Sequence, residues 1–217
     1  MDHLALLQGE VVALAAALRA ADPARAVRAC PGWTVADLTA HLTGVHRWAL
    51  GALRDEGAPP YEEKPATPQD YADAAAALVE RLQALPVDAP CWTFDRADKT
   101  AGFWRKRQLQ EVSVHRWDVE EHQIDPAVAE AGVVEVLEFF LPRQLHLGRA
   151  ALPAGTLTLH SGDRTWTVGG GGGPEATVSG PIADLDLLLW GRRGLEHVRV
   201  DGDRDLAESV FTSGLTP

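Results

Sequence analysis

The stretch QEVSVHRWDVE, residues 110–120, places Glu111 four positions before His115. In an α-helix, residues four apart project from one face, one turn above the other. A carboxylate and an imidazole stacked this way can grip one divalent cation, and the third ligand must then come from another helix. The best candidate is His41, in WTVADLTAHLTGVHRW, residues 33–48. Three protein ligands leave one coordination position open, which distinguishes a catalytic zinc site from a closed structural one. Inward-facing His and Glu on neighbouring helices are also a known way to build a metal site in a bundle core.

A lone E-x-x-x-H pair more often marks a solvated helix face. Here the pair lies in a longer stripe of Trp104, Gln108, Glu111, His115, Asp118 and His122 at steps of three and four. Trp is rarely spent on a bare solvent face. The opposite side holds Arg105, Arg107, Arg116 and Glu120, which are suited to water. The stripe is therefore expected to face inward or into a cleft. His41 lies among Leu38, Leu42, Val45 and Trp48, where a histidine by itself is usually a hydrogen-bonded core residue. His46 lies about 140° around the helix from His41, so it is expected to be peripheral to any shared ion. Asp118 is expected either to accept a hydrogen bond from a ligand histidine's ring N–H or to be a surface charge.

Around these motifs the pattern is helical. Leu4, Leu7, Val11, Leu14 and Leu18 predict an amphipathic helix over 2–21, ended by Asp22-Pro23. A second helix starts after Pro31-Gly32-Trp33, with Thr34 as N-cap and Asp37 as capping-box acid, and fades near Glu56-Gly57. Residues 57–66 hold three prolines and read as a crossover loop. A third helix starts with Thr67 as N-cap, Pro68 at the first position and Asp70 at the third, and runs to about Leu85. The fourth spans Phe103 to about His122. A fifth runs from Asp125-Pro126 to about Leu147, with a kink expected at Pro142.

Past Gly148 the texture changes. TLTLHSGDRTWTVGGGGGPEATVSG alternates apolar and polar residues around glycines, as short antiparallel strands do. ADLDLLLWGRR then reads as a helix, EHVRVDG as a strand and DLAESVF as a final helix. Residues 1–148 are thus expected to be all-helical and residues 149–217 to form a small α+β domain. The run Gly169–Gly173 lacks the Lys-Ser/Thr and the following helix of a phosphate loop, and reads as a flexible hairpin tip.

Composition narrows the partners. A net charge of −11 and a pI of about 5.1 argue against phosphate-backbone binding, so neither nucleic acid nor an anionic membrane surface is an expected partner. The apolar run Val11–Leu18 is too short to span a bilayer, and Asp2 and Glu10 stand where a signal peptide would carry Lys or Arg. Cys30 and Cys91 make no CxxC pair and are expected to be reduced, and the chain reads as cytoplasmic. Its basic residues are 17 Arg and 3 Lys, a bias that points to a GC-rich genome.

PGWT (31–34), DLTAHLTGVHRW (37–48) and EVSVHRWD (111–118), followed by the α+β region, resemble the mycothiol-dependent maleylpyruvate isomerase family of the wider DinB-like, thiol-dependent group. The resemblance covers most of the chain; its C-terminal part rests on ADLDLLLWGRR. It implies an α+β protein with a DinB-like four-helix bundle, and an actinobacterial source. It also implies a catalytic zinc, whose ligands map onto His41, Glu111 and His115, and mycothiol as thiol cosubstrate. A substrate-contacting arginine is implied too, best matched by Arg192, with Arg193 and Arg199 as alternatives. A cation-held thiol loses its proton at neutral pH and becomes a nucleophile. The expected reaction is isomerisation or S-transfer on a small electrophile that carries a carboxylate for the arginine. Two readings of other classes stand beside it: a metal-dependent hydrolase activating water, and a non-catalytic metal-binding or sensor module. His2Glu suits zinc, nickel, manganese or iron.

Overall fold

The computed structural model describes residues 1–54 and 57–216. They form two compact units, Met1–His122 and Gln123–Pro217. The sequence texture changes at Gly148, but the packing divides earlier, between His122 and Gln123. Secondary-structure type and packing partner are different properties, and only the first shows in local periodicity.

The first unit is a bundle of α1 (His3–Ala20), α2 (Val35–Ala52), α3 (Pro68–Ala84) and α4 (Ala101–Glu120). Asp2 caps α1 by accepting from the N–H groups of Leu4 and Ala5. Full capping boxes start α2 (Thr34 with Asp37) and α3 (Thr67 with Asp70), as their sequences require. The expected fading point of α2 at Glu56 lies outside the described residues; the helix itself ends at Ala52. By length and composition alone α1 could cross a membrane, with a mean hydropathy of 1.3. Its Leu7, Leu14 and Leu18 are instead spent in the bundle core, where α1 packs on α3 and α4. Leu38, Leu42, Tyr71, Leu78, Leu82, Trp104, Leu109 and Val112 join them. Each such side chain stabilises by about 1.5–3 kcal/mol relative to exposure.

Helix α4 departs from the amphipathic pattern. It is buried on most of its circumference, including the polar residues Arg107, Gln108, Gln110 and Ser113. The face expected to meet water does not do so cleanly. Arg105 donates to the carbonyls of Leu82 and Leu85, 2.8 and 2.7 Å away, and so satisfies the C-terminal end of α3. Arg107 turns inward. Glu121, at φ 46°, closes α4 in a left-handed conformation.

The second unit opens with α5 (Pro126–Val134), a π-helical segment (Glu135–Phe140) and α6 (Leu141–His146). The irregularity expected at Pro142 is thus a π-helical stretch just before it. Pro142 has no N–H to donate, and the Leu141 N–H reaches back five residues to Val136 C=O. The sheet has strand order β2-β1-β3-β4, with β1 Thr156–Ser161, β2 Arg164–Gly169, β3 Glu175–Ser179 and β4 Arg199–Gly202. The strands are not all antiparallel: β3 runs parallel to β1, with Leu157 opposite Ala176 and Leu159 opposite Val178. Nor is the glycine run a hairpin tip, since β2 and β3 do not pair. It carries the chain across the end of β1. A Cβ on Gly173 would meet Ala154 O at 2.4 Å, and one on Gly169 would meet Gly155 O at 2.3 Å, both at positive φ. Helix α7 (Ile182–Leu189) packs on α5 and β1, and α8 (Arg204–Phe211) packs on β1, β3 and β4. Because α7 ends at Leu189, Arg192 and Arg193 lie in the turn that follows it.

Candidate metal centre

The predicted stripe on α4 points into the bundle. Trp104 and Gln108 are fully buried, and Trp104 Nε1 donates to Trp92 O at 2.8 Å. One and two turns further on, Glu111 and His115 face His41 on α2. His41 Nε2 is 3.0 Å from Glu111 Oε1, and His115 Nε2 is 3.7 Å from the same oxygen. One ligand atom from each residue falls within 4.8 Å of the other two. Tetrahedral zinc, with bonds of about 2.0–2.1 Å, sets its ligand atoms about 3.3 Å apart. The His41 side chain is 23% exposed against 12% for each of the other two, so the cluster meets solvent on the His41 side.

The donor chemistry fits a cation. An imidazole lone pair and a carboxylate oxygen cannot stand 3.0 Å apart unless a proton or a cation lies between them. Without a metal, that role falls to a proton. Burial alone would push His41 down, but the hydrogen bond to Glu111 and the charges of Glu111 and Glu63 outweigh it and raise its pKa. Burial likewise pushes Glu111 up. The Arg107 guanidinium beside it and the hydrogen bond and charge of His41 overcome that and hold the carboxyl well below its usual range. Glu111 is therefore an anion, ready to ligate. Arg107 Nη2 is hydrogen-bonded to Glu111 Oε2, one turn away.

Asp118 accepts from His115 Nδ1 at 2.8 Å, with its carboxylate fully buried. That bond places the ring proton on Nδ1 and leaves the Nε2 lone pair facing Glu111. On the other side, Tyr61 donates to Glu63 at 2.8 Å, and its hydroxyl lies 3.2 Å from His41 Nδ1. Trp33 packs against His41 with ring centroids 5.0 Å apart.

The sequence motifs did not reveal the parts played by Tyr61, Glu63 and Arg107. Tyr61 and Glu63 belong to the proline-bearing loop, which has no periodicity to read. Arg107 did carry a signal, its R-x-x-x-E spacing to Glu111, but the same spacing suits a solvated ion pair. His46 is outside the ligand set, as expected, but buried rather than marginal. Its Nδ1 bonds Gln108 Oε1 at 2.6 Å, and burial lowers its pKa to about 4. An apolar groove of about 420 Å³ between α1 and α3 contains no residue of the cluster.

Among the three C-terminal arginines, Arg193 is tied to Asp184, and Arg199 bonds Asp201 at 2.8 Å. Arg192 donates from Nη1 to the Trp190 carbonyl at 2.8 Å, and its charge also acts on the buried Asp186.

The family description "Mycothiol maleylpyruvate isomerase N-terminal domain" matches residues 4–120, and "MDMPI C-terminal domain" matches residues 127–209. These bounds bracket the division between the two compact units. A crystal structure of the mycothiol-dependent maleylpyruvate isomerase is similar at 17% identity, with 92% of each chain covered and a TM-score of 0.66. A point-mutant form of that isomerase is similar at 16% identity, again with 92% of each chain covered, and a TM-score of 0.69. No curated protein sequence matches significantly. At these identities the structures speak for the α+β fold, and the matched domain, spanning more than half of the chain, speaks for kinship: the chain belongs to the mycothiol maleylpyruvate isomerase family.

Proposed function

We propose that the chain catalyses a mycothiol-dependent isomerisation of a small, carboxylate-bearing, conjugated electrophile, with a divalent cation held by His41, Glu111 and His115. Family membership makes it a thiol-dependent enzyme of the isomerase type. The observation that carries the finer reading is the cluster itself: two imidazoles and one ionised carboxylate converge on one point, each with a partner that fixes its charge or tautomer. A cation bound there would be zinc or a metal of similar preference, and would supply the Lewis acidity that converts a thiol to its thiolate at neutral pH.

The protein's own residues do the rest. Asp118 keeps the proton on His115 Nδ1, so that Nε2 remains a ligand. Arg107 keeps Glu111 ionised despite its burial. Tyr61 and Glu63 hold His41 by its other nitrogen. Arg192, the best match to the arginine that the resemblance implies, is the residue proposed to receive the substrate carboxylate. In the reaction the thiolate sulfur adds to one carbon of the conjugated double bond, and the electron pair moves into the conjugated carbonyl. The former double bond rotates. The pair then returns, the C–S bond breaks with its electrons on sulfur, and the thiolate is regenerated as the isomer is released.

The test is turnover of a cis conjugated keto acid with and without added mycothiol. Thiol-dependent turnover, abolished by a chelator and restored by zinc, is the expected result. Thiol-independent turnover would overturn the proposal. Arg192→Ala is expected to raise KM by tenfold or more at unchanged metal content; an unchanged KM would remove Arg192 from the substrate site.

A further inference from the structure

We infer that His115 serves two alternative cation positions, and that the second, formed with Cys30 and Asp118, takes a thiophilic metal. Cys30 opens the turn Cys30-Pro31-Gly32-Trp33, closed by the Trp33 N–H to Cys30 C=O bond of 3.0 Å, with Gly32 at φ +85° in the third position. Proline followed by a left-handed glycine is the signature of a type II turn, which ties the chain tightly just before α2. The Cys30 Sγ, one ring nitrogen of His115 and one carboxylate oxygen of Asp118 all lie within 4.8 Å of one another. Thiolate, imidazole and carboxylate together make a donor set that His41 and Glu111 do not share. Cys30 is partly exposed and in thiol form, so an ion can reach it.

The chemistry of the ring makes the positions alternatives. A neutral imidazole has one lone pair. With the proton on Nδ1, held by Asp118 2.8 Å away, the Nε2 lone pair serves the His41–Glu111 side. An ion on the Cys30 side needs the Nδ1 lone pair, so the ring proton must move to Nε2 and His115 leaves the first set. Binding there also releases the Cys30 thiol proton to solvent. A hard or borderline ion gains little from the exchange. A soft ion gains a thiolate bond, which the first set cannot offer. This position would make the enzyme open to displacement of its working metal by thiophilic ions.

The probe is Cd2+ added to metal-free protein, read by the ultraviolet cadmium–thiolate charge-transfer band. The His41–Glu111–His115 set holds no sulfur and gives no such band, so the readout is independent of any thiol-transfer activity. The expected result is a band in the wild type, in His41→Ala, or in both, abolished by Cys30→Ser and kept in Cys91→Ser. No band in either chain would overturn the inference, and so would a band that survives Cys30→Ser. A failed activity proposal with a Cys30-dependent band would leave this site standing.

Discussion

Each unit of the molecule buries a carboxylate, and the two behave in opposite ways. Glu111, in the bundle, is kept ionised by Arg107 and His41 against the cost of burial. Asp186, on α7 of the second unit, is fully buried, and burial followed by the nearby charge of Glu135 pushes its pKa well above the usual value. The stabilising influences of Trp190 and Arg192 do not overcome these. Burial is thus common to both, and the surrounding charges decide the protonation state. A ligating carboxylate has its cations assembled around it before any metal arrives. Where repulsion from Glu135 adds to burial and the favourable charges do not offset them, as at Asp186, the carboxyl is pushed towards its neutral, protonated form.

The strongest way to break the contrast is to remove the compensation from Glu111. Arg107→Met is expected to destabilise the metal-free protein by about 3 kcal/mol in urea unfolding, because it strands a buried charge. Adding Glu111→Gln should recover most of that loss. A single variant within about 0.5 kcal/mol of wild type would show that Arg107 is not the compensating charge. A smaller effect is expected from Asp118→Asn, which leaves His41, Glu111 and His115 in place but stops fixing the His115 tautomer. Metal affinity should fall by about 10–100-fold at nearly unchanged stability, as measured by competition with a chelator. Unchanged affinity would show that the His115–Asp118 bond plays no part in metal binding.

Asp186 gives the most delicate test. Its folded pKa lies above its unfolded one, so the folded state binds the extra proton. The resulting stability is fully present below the unfolded value of 3.8 and is lost as pH rises through the folded value. Asp186→Asn removes this dependence. The variant's stability relative to wild type should therefore grow as pH rises above about 4. A stability difference that is flat with pH would place Asp186 among ordinary ionised carboxylates.

Local features were legible in the sequence because they are made locally. The Thr34–Asp37 and Thr67–Asp70 boxes each involve four consecutive residues, and both formed as read. Glu111 and His115 share a helix face for the same reason. His41 required a second inference, that a cation gripped by two residues of one helix takes its third ligand from another helix. What was not legible depends on distant partners. Arg107 sits at the same helical spacing in a buried pair as it would in a solvated one. Tyr61 and Glu63 reach His41 from an aperiodic loop. The parallel pairing of β1 with β3 depends on how Gly169–Gly173 cross the strand end, which alternation cannot show. Helix α5 looks like any bundle helix, and only its packing on α7 assigns it to the second unit.

One cation is proposed to sit on His115 and its neighbours. The most direct measurement is metal content by elemental mass spectrometry on protein never exposed to chelator, for wild type and His115→Ala, with circular dichroism to show that both are folded. His115 belongs to both proposed positions, so its loss removes either. About one divalent cation per chain is expected in wild type and less than a tenth of that in the variant. No cation in wild type even after zinc is added back, or equal content in the two proteins, would contradict it.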